Sequence, residues 1–174
     1  DRIEPVPPLE QSATTACPAF FLVELYNITG NKKYLETAER AAEFIEKNVI
    51  PENKWFDFEQ YFTACARKPG LRCEFTGLWG HNNLSLWWAT EMYARLYEAT
   101  GREGYLHTGV RLLDILCLYQ QVWSPPYLSF YAFGGFGVMN SDAEWNDARE
   151  SAFASTLMQY YMLTGEEEYF RRGI

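Results

Sequence analysis

The chain of 174 residues contains only two histidines and four cysteines. Cys17, Cys65, Cys73 and Cys117 form no C-x-x-C pair, and neither His81 nor His107 has a second histidine at ligand spacing. This argues against a zinc centre, and no metal or other cofactor is expected. Four cysteines are also too few for a disulfide scaffold, although Cys65 and Cys73 flank a loop and could pair in an oxidising compartment. No run of 18 apolar residues exists, since Glu24, Glu91 and Asp114 interrupt the longest candidates. A membrane-spanning helix is therefore not expected. Basic residues are scarce too: 15 Lys and Arg face 23 Asp and Glu, for a formal charge of -8. The densest basic stretch is Arg67, Lys68 and Arg72, no stripe able to neutralise a phosphate backbone, which argues against nucleic acid as a partner. With 12 Gly, 8 Pro and 48% apolar residues, the chain is neither disordered nor fibrous and can bury a core. It opens at Asp1 with neither Met nor an apolar leader, so the expectation is a chain that follows a cleaved leader or sits inside a longer protein. Cytoplasmic and secreted locations both fit.

What is abundant is aromatic: 17% of residues, with six Trp, twelve Tyr and twelve Phe. Part of that abundance is repetitive. Tyr26-Asn27-Ile28-Thr29-Gly30 with Tyr34, Tyr97-Glu98-Ala99-Thr100-Gly101 with Tyr105, and Tyr161-Met162-Leu163-Thr164-Gly165 with Tyr169 share one pattern, the glycines standing 71 and 64 residues apart. A glycine is suited to the left-handed position that ends a helix, and a new helical pattern restarts at once, so each Thr-Gly reads as the tight turn of an αα-hairpin. Thr100 with Glu103 and Thr164 with Glu167 have the spacing of capping boxes for the restarting helices. The tyrosines four residues either side of each glycine are expected to meet across the hairpin mouth.

The helices flanking each turn differ in kind. Residues 12–28, 83–99 and 148–163 are apolar nearly all round, which predicts helices buried on more than one side. Residues 32–48 carry Leu35, Ala38, Ala42 and Ile45 on one stripe with Glu36, Glu39, Arg40 and Glu43 elsewhere, the pattern of an outer helix. Residues 102–120 show a broader apolar face. The reading is all-α: repeated αα-hairpins at about 12–49, 83–120 and 148–174, inner and outer helices alternating in a single repeat region over 1–174.

The connections are asymmetric. At the Thr-Gly end they are as tight as a hairpin allows, whereas residues 50–81 and 121–146 form long loops, which in a compact domain usually serve function. Both loops are crowded with residues that suit carbohydrate: Trp55, Glu74, Trp79, His81 and Asn82 in one, and Trp123, Tyr127, Asp142, Glu144, Trp145 and Asp147 in the other. Tryptophan and tyrosine faces stack on sugar C–H surfaces while Asn, Asp, Glu and Arg take the hydroxyls. Glu10, His81 and Trp145 each precede their Thr-Gly glycine by 20 residues and are expected around one rim. The run Gly134-Gly135-Phe136-Gly137 lacks phosphate-loop spacing and reads as a lid or a tight aromatic loop. The densest chemistry is in Asp142-Ala143-Glu144-Trp145-Asn146-Asp147-Ala148-Arg149-Glu150. Sugar hydrolysis needs one carboxyl with a raised pKa and one kept ionised; burial beside Trp145 and pairing with Arg149 could supply that split. Asp147 with Glu150 also has capping-box spacing, which requires no catalytic role. His81 could act as a general base or hold a sugar hydroxyl, or simply satisfy the backbone. Asn140, Asp142 and Glu144 lack EF-hand spacing.

The alternation of inner and outer helices, the hairpin unit of about 65 residues and the Tyr-x-x-Thr-Gly-x-x-x-Tyr signature resemble the (α/α) toroid of the six-hairpin glycosidase superfamily, over roughly residues 10–174. The resemblance implies inner helices lining a central cavity, and an arc of an (α/α)6 toroid, because six hairpins at this period need roughly 400 residues. The remainder of a larger toroid is then the chain's first partner. In unsaturated glucuronyl hydrolases of that superfamily an Asp at the start of an inner helix is the general acid/base; Asp147 matches it by position. The expected activity is glycoside hydrolysis of an oligo- or polysaccharide, uronic-acid-containing ones included. Asp147, Glu144, Asp142 and His81 are the catalytic candidates, and Trp55, Glu74, Trp79, Asn82, Trp123, Tyr127, Trp145 and Arg149 the substrate-binding ones. Polysaccharide lyases and sugar epimerases share the toroid, and a non-catalytic module binding glycan or protein through its aromatic rim is the alternative outside enzymes.

Overall fold

The computed structural model describes residues 13–55, 72–138 and 145–174. Among these residues six α-helices form three hairpins: α1 (Ala16–Thr29) with α2 (Lys32–Asn48), α3 (Asn83–Thr100) with α4 (Glu103–Cys117), and α5 (Ser151–Thr164) with α6 (Glu167–Gly173). Single 3₁₀ turns precede α1 at Ala13–Thr15, follow α2 at Ile50–Glu52 and precede α5 at Ala148–Glu150. The expected third inner helix thus opens as a 3₁₀ turn, and the second outer helix ends at Cys117 rather than 120.

Each hairpin turns on a glycine in the left-handed region, Gly30 at φ 67°, Gly101 at 66° and Gly165 at 75°. The threonine before it does not form the expected capping box. Instead its hydroxyl donates back to the carbonyl four residues earlier, Thr29 to Leu25 at 2.6 Å, Thr100 to Leu96 at 2.6 Å and Thr164 to Tyr160 at 2.7 Å. The same oxygen then accepts the amide two residues on, from Asn31, Arg102 and Glu166. One hydroxyl straddles the turn and joins the end of the inner helix to the start of the outer one. The outer helices begin after Asn31, Arg102 and Glu166, one residue past each glycine, which puts the threonine too far back to cap them. The tyrosine pairing also differs from expectation. Tyr105 packs near Tyr93 and Tyr169 edge-on to Tyr160, while Tyr161 meets Phe170.

The three inner helices lie side by side, α3 contacting both α1 and α5. Its central place explains its all-round apolarity: ten of its residues are buried, from Asn83 to Leu96. The flanking α1 buries Ala16, Ala19 and Val23 but leaves Phe21, Leu25 and Ile28 exposed among the described residues. The outer helix α2 buries Ala38, Ala42 and Ile45, as its stripe requires. Buried tyrosines fasten neighbouring hairpins: Tyr93 donates to the Ala42 carbonyl at 3.0 Å and Tyr160 to the Thr90 carbonyl at 2.8 Å. Between outer helices Tyr169 donates to Asp114 at 2.8 Å, and Arg102 reaches Glu39 at 2.6 Å.

Candidate active site

All three inner helices start, and the outer helices α2 and α4 end, on the long-loop side, where both loops converge on residues 81–83. The Asn82 side-chain oxygen caps α3, accepting the amides of Leu84 at 2.8 Å and Ser85 at 3.4 Å. Its backbone amide donates to the Trp55 carbonyl at 2.7 Å, and that of Asn83 to the Val138 carbonyl at 2.7 Å. Asn83 Nδ2 donates to the Gly137 carbonyl at 2.6 Å, which leaves its Oδ1 to accept from His81 Nε2 at 2.6 Å. His81 is thereby assigned as the Nε2–H tautomer, with its ring stacked on Tyr119 at 4.2 Å between centroids. It is only 2% exposed, and burial depresses its pKa to about 4, so the imidazole is neutral at pH 7. Asn82 and Asn83 together pin two loops to one helix start, with His81 bonded to the second of them.

Trp55 is fully buried and donates Nε1 to Asn53 Oδ1 at 2.6 Å, so it presents no stacking face here. Trp79 is half-buried, and over its ring lie the Arg72 guanidinium at 4.4 Å and the Lys54 ammonium at 4.9 Å. Glu52 bridges those cations, 3.1 Å from Lys54 and 2.9 Å from Arg72. Glu52, Arg72 and Trp79 with His81 and Tyr119 line a cleft of about 350 Å³. Glu74 is exposed in the adjoining turn and does not line it.

Asp147 caps the 3₁₀ turn ahead of α5, accepting the Arg149 amide at 2.7 Å. Arg149 also grips it from the side chain, Nε to Oδ1 at 2.9 Å and Nη2 to Oδ2 at 2.9 Å. The guanidinium, against the opposing pull of partial burial and with the help of the Arg149 amide, holds the Asp147 carboxyl below the ordinary carboxylate range. Asp147 is therefore held ionised at neutral pH. Asp147 lines a second cleft, of about 440 Å³, with Asn146, Ser151, Phe133 and Gly135. A Cβ at Gly135 would overlap the Asn146 side chain, which would have to shift to admit it. Trp145 meets Trp123 edge-on at 6.4 Å, and Trp123 and Tyr127 are exposed. Of the two readings of Gly134-Gly135-Phe136-Gly137, the structure has the tight aromatic loop, bridged at Phe136 to Gln120. Asp142 and Glu144, like Glu10, Cys65 and Arg67, lie outside the described residues.

The structure therefore gathers Asp147, Arg149, Trp123 and Trp145 around one loop and His81, Asn82, Trp55 and Trp79 around the other. Tyr119 lines the first cleft and the adjacent Gln120 the second, so the two meet at the end of α4 without merging. No group of three or more His, Cys, Asp or Glu able to hold a metal occurs among the described residues.

Sequence reading treated Glu91 only as an interruption of an apolar run. It is 7% exposed within α3, accepts from Thr156 of α5, and Thr156 in turn accepts Trp87 Nε1 at 2.6 Å. Burial raises its carboxyl pKa. Nearer the Thr-Gly turns, Arg95 pairs with Glu24 of α1 at 2.9 Å and with Glu98 at 2.7 Å, and Gln159 of α5 donates to Glu98 at 3.0 Å. Glu24, Arg95 and Gln159 each stand six residues before their glycine, and that shared register was the signal available in the sequence.

No protein-family model matches the chain, and no curated protein does. Among solved structures it is similar to a D-mannose isomerase (14% identity, TM-score 0.55), covering 92% of this chain and 38% of that one. A glycoside hydrolase family 76 mannosidase from Bacteroides thetaiotaomicron is 17% identical with a TM-score of 0.54, covering 89% and 40%. Cellobiose 2-epimerase from Bacillus thermoamylovorans is 14% identical with a TM-score of 0.56, covering 92% and 41%. The chain thus spans about two-fifths of the length of each. At these identities the likeness speaks for architecture alone, and it agrees with the repeat of αα-hairpins. The chain has the six-hairpin glycosidase-type fold, as an arc of an (α/α)6 toroid.

Proposed function

We propose that this chain is part of a carbohydrate-active enzyme, a glycoside hydrolase acting on an oligo- or polysaccharide at the long-loop end of the toroid. The observation that carries the reading is Asp147: a carboxylate at the start of an inner helix, held ionised by Arg149 and lining a cleft of about 440 Å³. In this reading Glu144 donates a proton to the departing glycosidic oxygen, and Asp147 accepts the proton of the water that adds to the anomeric carbon. Asp142 is the further carboxylate of the cluster. Trp123, Tyr127 and Trp145 supply stacking surface, and Arg149 both orients Asp147 and offers charge to an acidic sugar. Asn82 and Asn83 act as positioning residues that fix both loops to α3, and His81 orients the Asn83 side chain. The remainder of the toroid completes the cavity wall.

The names of two of the three similar structures, an isomerase and an epimerase, favour a second reading in which a sugar is rearranged without bond hydrolysis. Product mass separates the readings, since hydrolysis adds one water, isomerisation none, and elimination leaves an unsaturated end. The full-length protein is incubated with a polysaccharide panel alongside Asp147→Asn and Glu144→Gln. A loss of about 100-fold or more in turnover with binding retained is expected for each. Undiminished turnover in both would remove the assignment.

A further inference from the structure

A buried carboxyl and one hydroxyl join the second and third inner helices. Glu91 of α3 is 7% exposed and Thr156 of α5 is fully buried. Thr156 Oγ1 stands within reach of three groups: a Glu91 carboxyl oxygen, the Trp87 indole Nε1 at 2.6 Å and, four residues back along α5, the Ala152 carbonyl at 3.5 Å. The indole can only donate, so Thr156 accepts from it and has one hydrogen of its own to place. That hydrogen has two acceptors, and Glu91 decides between them. An ionised Glu91 takes it. A neutral Glu91 donates its own proton to the hydroxyl, and the threonine hydrogen turns to Ala152, a back-bond open to threonine within a helix. The neutral arrangement uses every donor and acceptor of the hydroxyl and leaves no charge in the interior. The charged and titratable groups facing Glu91 are Arg95 and Glu98 of α3, Glu24 of α1 and Tyr160 of α5. Arg95 is shared between Glu24 at 2.9 Å and Glu98 at 2.7 Å, so little of its charge is left to hold a third carboxylate, and Tyr160 is committed to the Thr90 carbonyl. Desolvation therefore dominates and favours the neutral acid. Because α3 lies between α1 and α5, inner helices on both sides make this environment.

We propose that Glu91, Thr156 and Trp87 form a proton-operated latch between the second and third hairpins, closed while Glu91 carries its proton and weakened when that proton leaves to water. On ionisation the Thr156 hydrogen swings from Ala152 to the carboxylate, and a charge remains in a junction whose groups were satisfied without it. The sign follows from that geometry: the junction is firm in acid and loosens as the pH rises. Further hydrogen bonds across it run from Tyr160 to Thr90, from Gln159 to Glu98 and from Tyr169 to Asp114. Glu98 and Asp114 are exposed, so Glu91 is the carboxyl of this junction, among the described residues, that burial tunes.

Trp87 is the reporter. In full-length protein carrying nitrogen-15 in its tryptophans, the Trp87 indole N–H resonance, assigned by its absence in Trp87→Phe, is followed from about pH 4 to about pH 9. It should titrate once, with a midpoint above the ordinary glutamate value of about 4.3, and the response should vanish in Glu91→Gln, whose amide donates to Thr156 at every pH. Thr156→Ser keeps the hydroxyl and should keep the titration; Thr156→Val removes it and should lose it, a contrast that leaves the carboxyl untouched. Amide hydrogen exchange of α5, corrected for its intrinsic pH dependence, reads the latch itself. Protection should fall through the same midpoint, about tenfold for each unit separating the folded and opened pKa values, and should stay constant in Glu91→Gln. An indole resonance that is flat over the range, or a midpoint within the ordinary glutamate range, overturns the proposal. A titration that persists in Glu91→Gln assigns the proton to another group and overturns it too. Protection of α5 that holds while the indole titrates shows a proton site without a latch, which also overturns it.

Discussion

Two glycines in the same helix should respond in opposite directions to one substitution. Gly104 and Gly109 both lie in α4; a Cβ at Gly104 meets nothing within 4 Å, whereas one at Gly109 would overlap the Tyr160 hydroxyl and crowd its ring. Tyr160 has nowhere to go, because it is fully buried on α5 and donates to the Thr90 carbonyl at 2.8 Å. Replacing glycine by alanine within a helix returns up to about 1 kcal/mol through backbone entropy and propensity. Gly104→Ala should therefore stabilise by roughly 0.5–1 kcal/mol. At Gly109 the same return is set against overpacking of about 1–3 kcal/mol, so the net change should range from about zero to about 2 kcal/mol of destabilisation. Urea unfolding followed by circular dichroism reads the two side by side, and Tyr160→Phe tests the cause. Removing the hydroxyl sacrifices its bond to Thr90, about 1 kcal/mol, but should reduce the penalty of Gly109→Ala in the double variant. A Gly109→Ala protein as stable as Gly104→Ala would mean that α4 and α5 do not approach as closely as described.

Thr100→Val keeps shape but removes the hydroxyl that joins Leu96 to Arg102, and should cost about 1 kcal/mol in urea unfolding. The folded His81 titrates at about 4 against 6.5 for an ordinary histidine, so the unfolded chain takes up a proton first as the pH falls. Its contribution is fully present above pH 6.5 and drains away toward pH 4, by on the order of 3 kcal/mol, and His81→Gln should flatten that part of the stability profile. Glu91 has the opposite sign. Its raised folded pKa means that stability is lost as the pH rises through it, so Glu91→Gln should melt higher than the parent at pH 7 and converge with it in acid.

Much of the fold can be read in residue order. The Thr-Gly repeats located all three turns, and the stripe in residues 32–48 predicted α2 to the residue, because helix stops and amphipathic stripes are local properties. The candidate site was legible only as a region. Loop length and aromatic density marked the end of the hairpins where the two clefts lie, but which side chains face a cleft depends on partners distant in sequence. Trp55 and Trp123 look alike as sequence, yet one is buried beneath the first loop and the other stands at the rim. Asn82 reads as a hydroxyl ligand and proves to be a helix cap.

By itself, then, the sequence determined the hairpin period, the alternation of inner and outer helices and the asymmetry of the loops, because each is encoded within a few turns of helix. Only the tertiary structure decided that His81 is buried and neutral, that Arg149 holds Asp147 ionised, that Glu91 and Thr156 join two inner helices, and that a side chain at Gly109 would crowd Tyr160. Those properties arise from desolvation, from ion pairing and from close packing between segments as far as 70 residues apart, and no local pattern carries them.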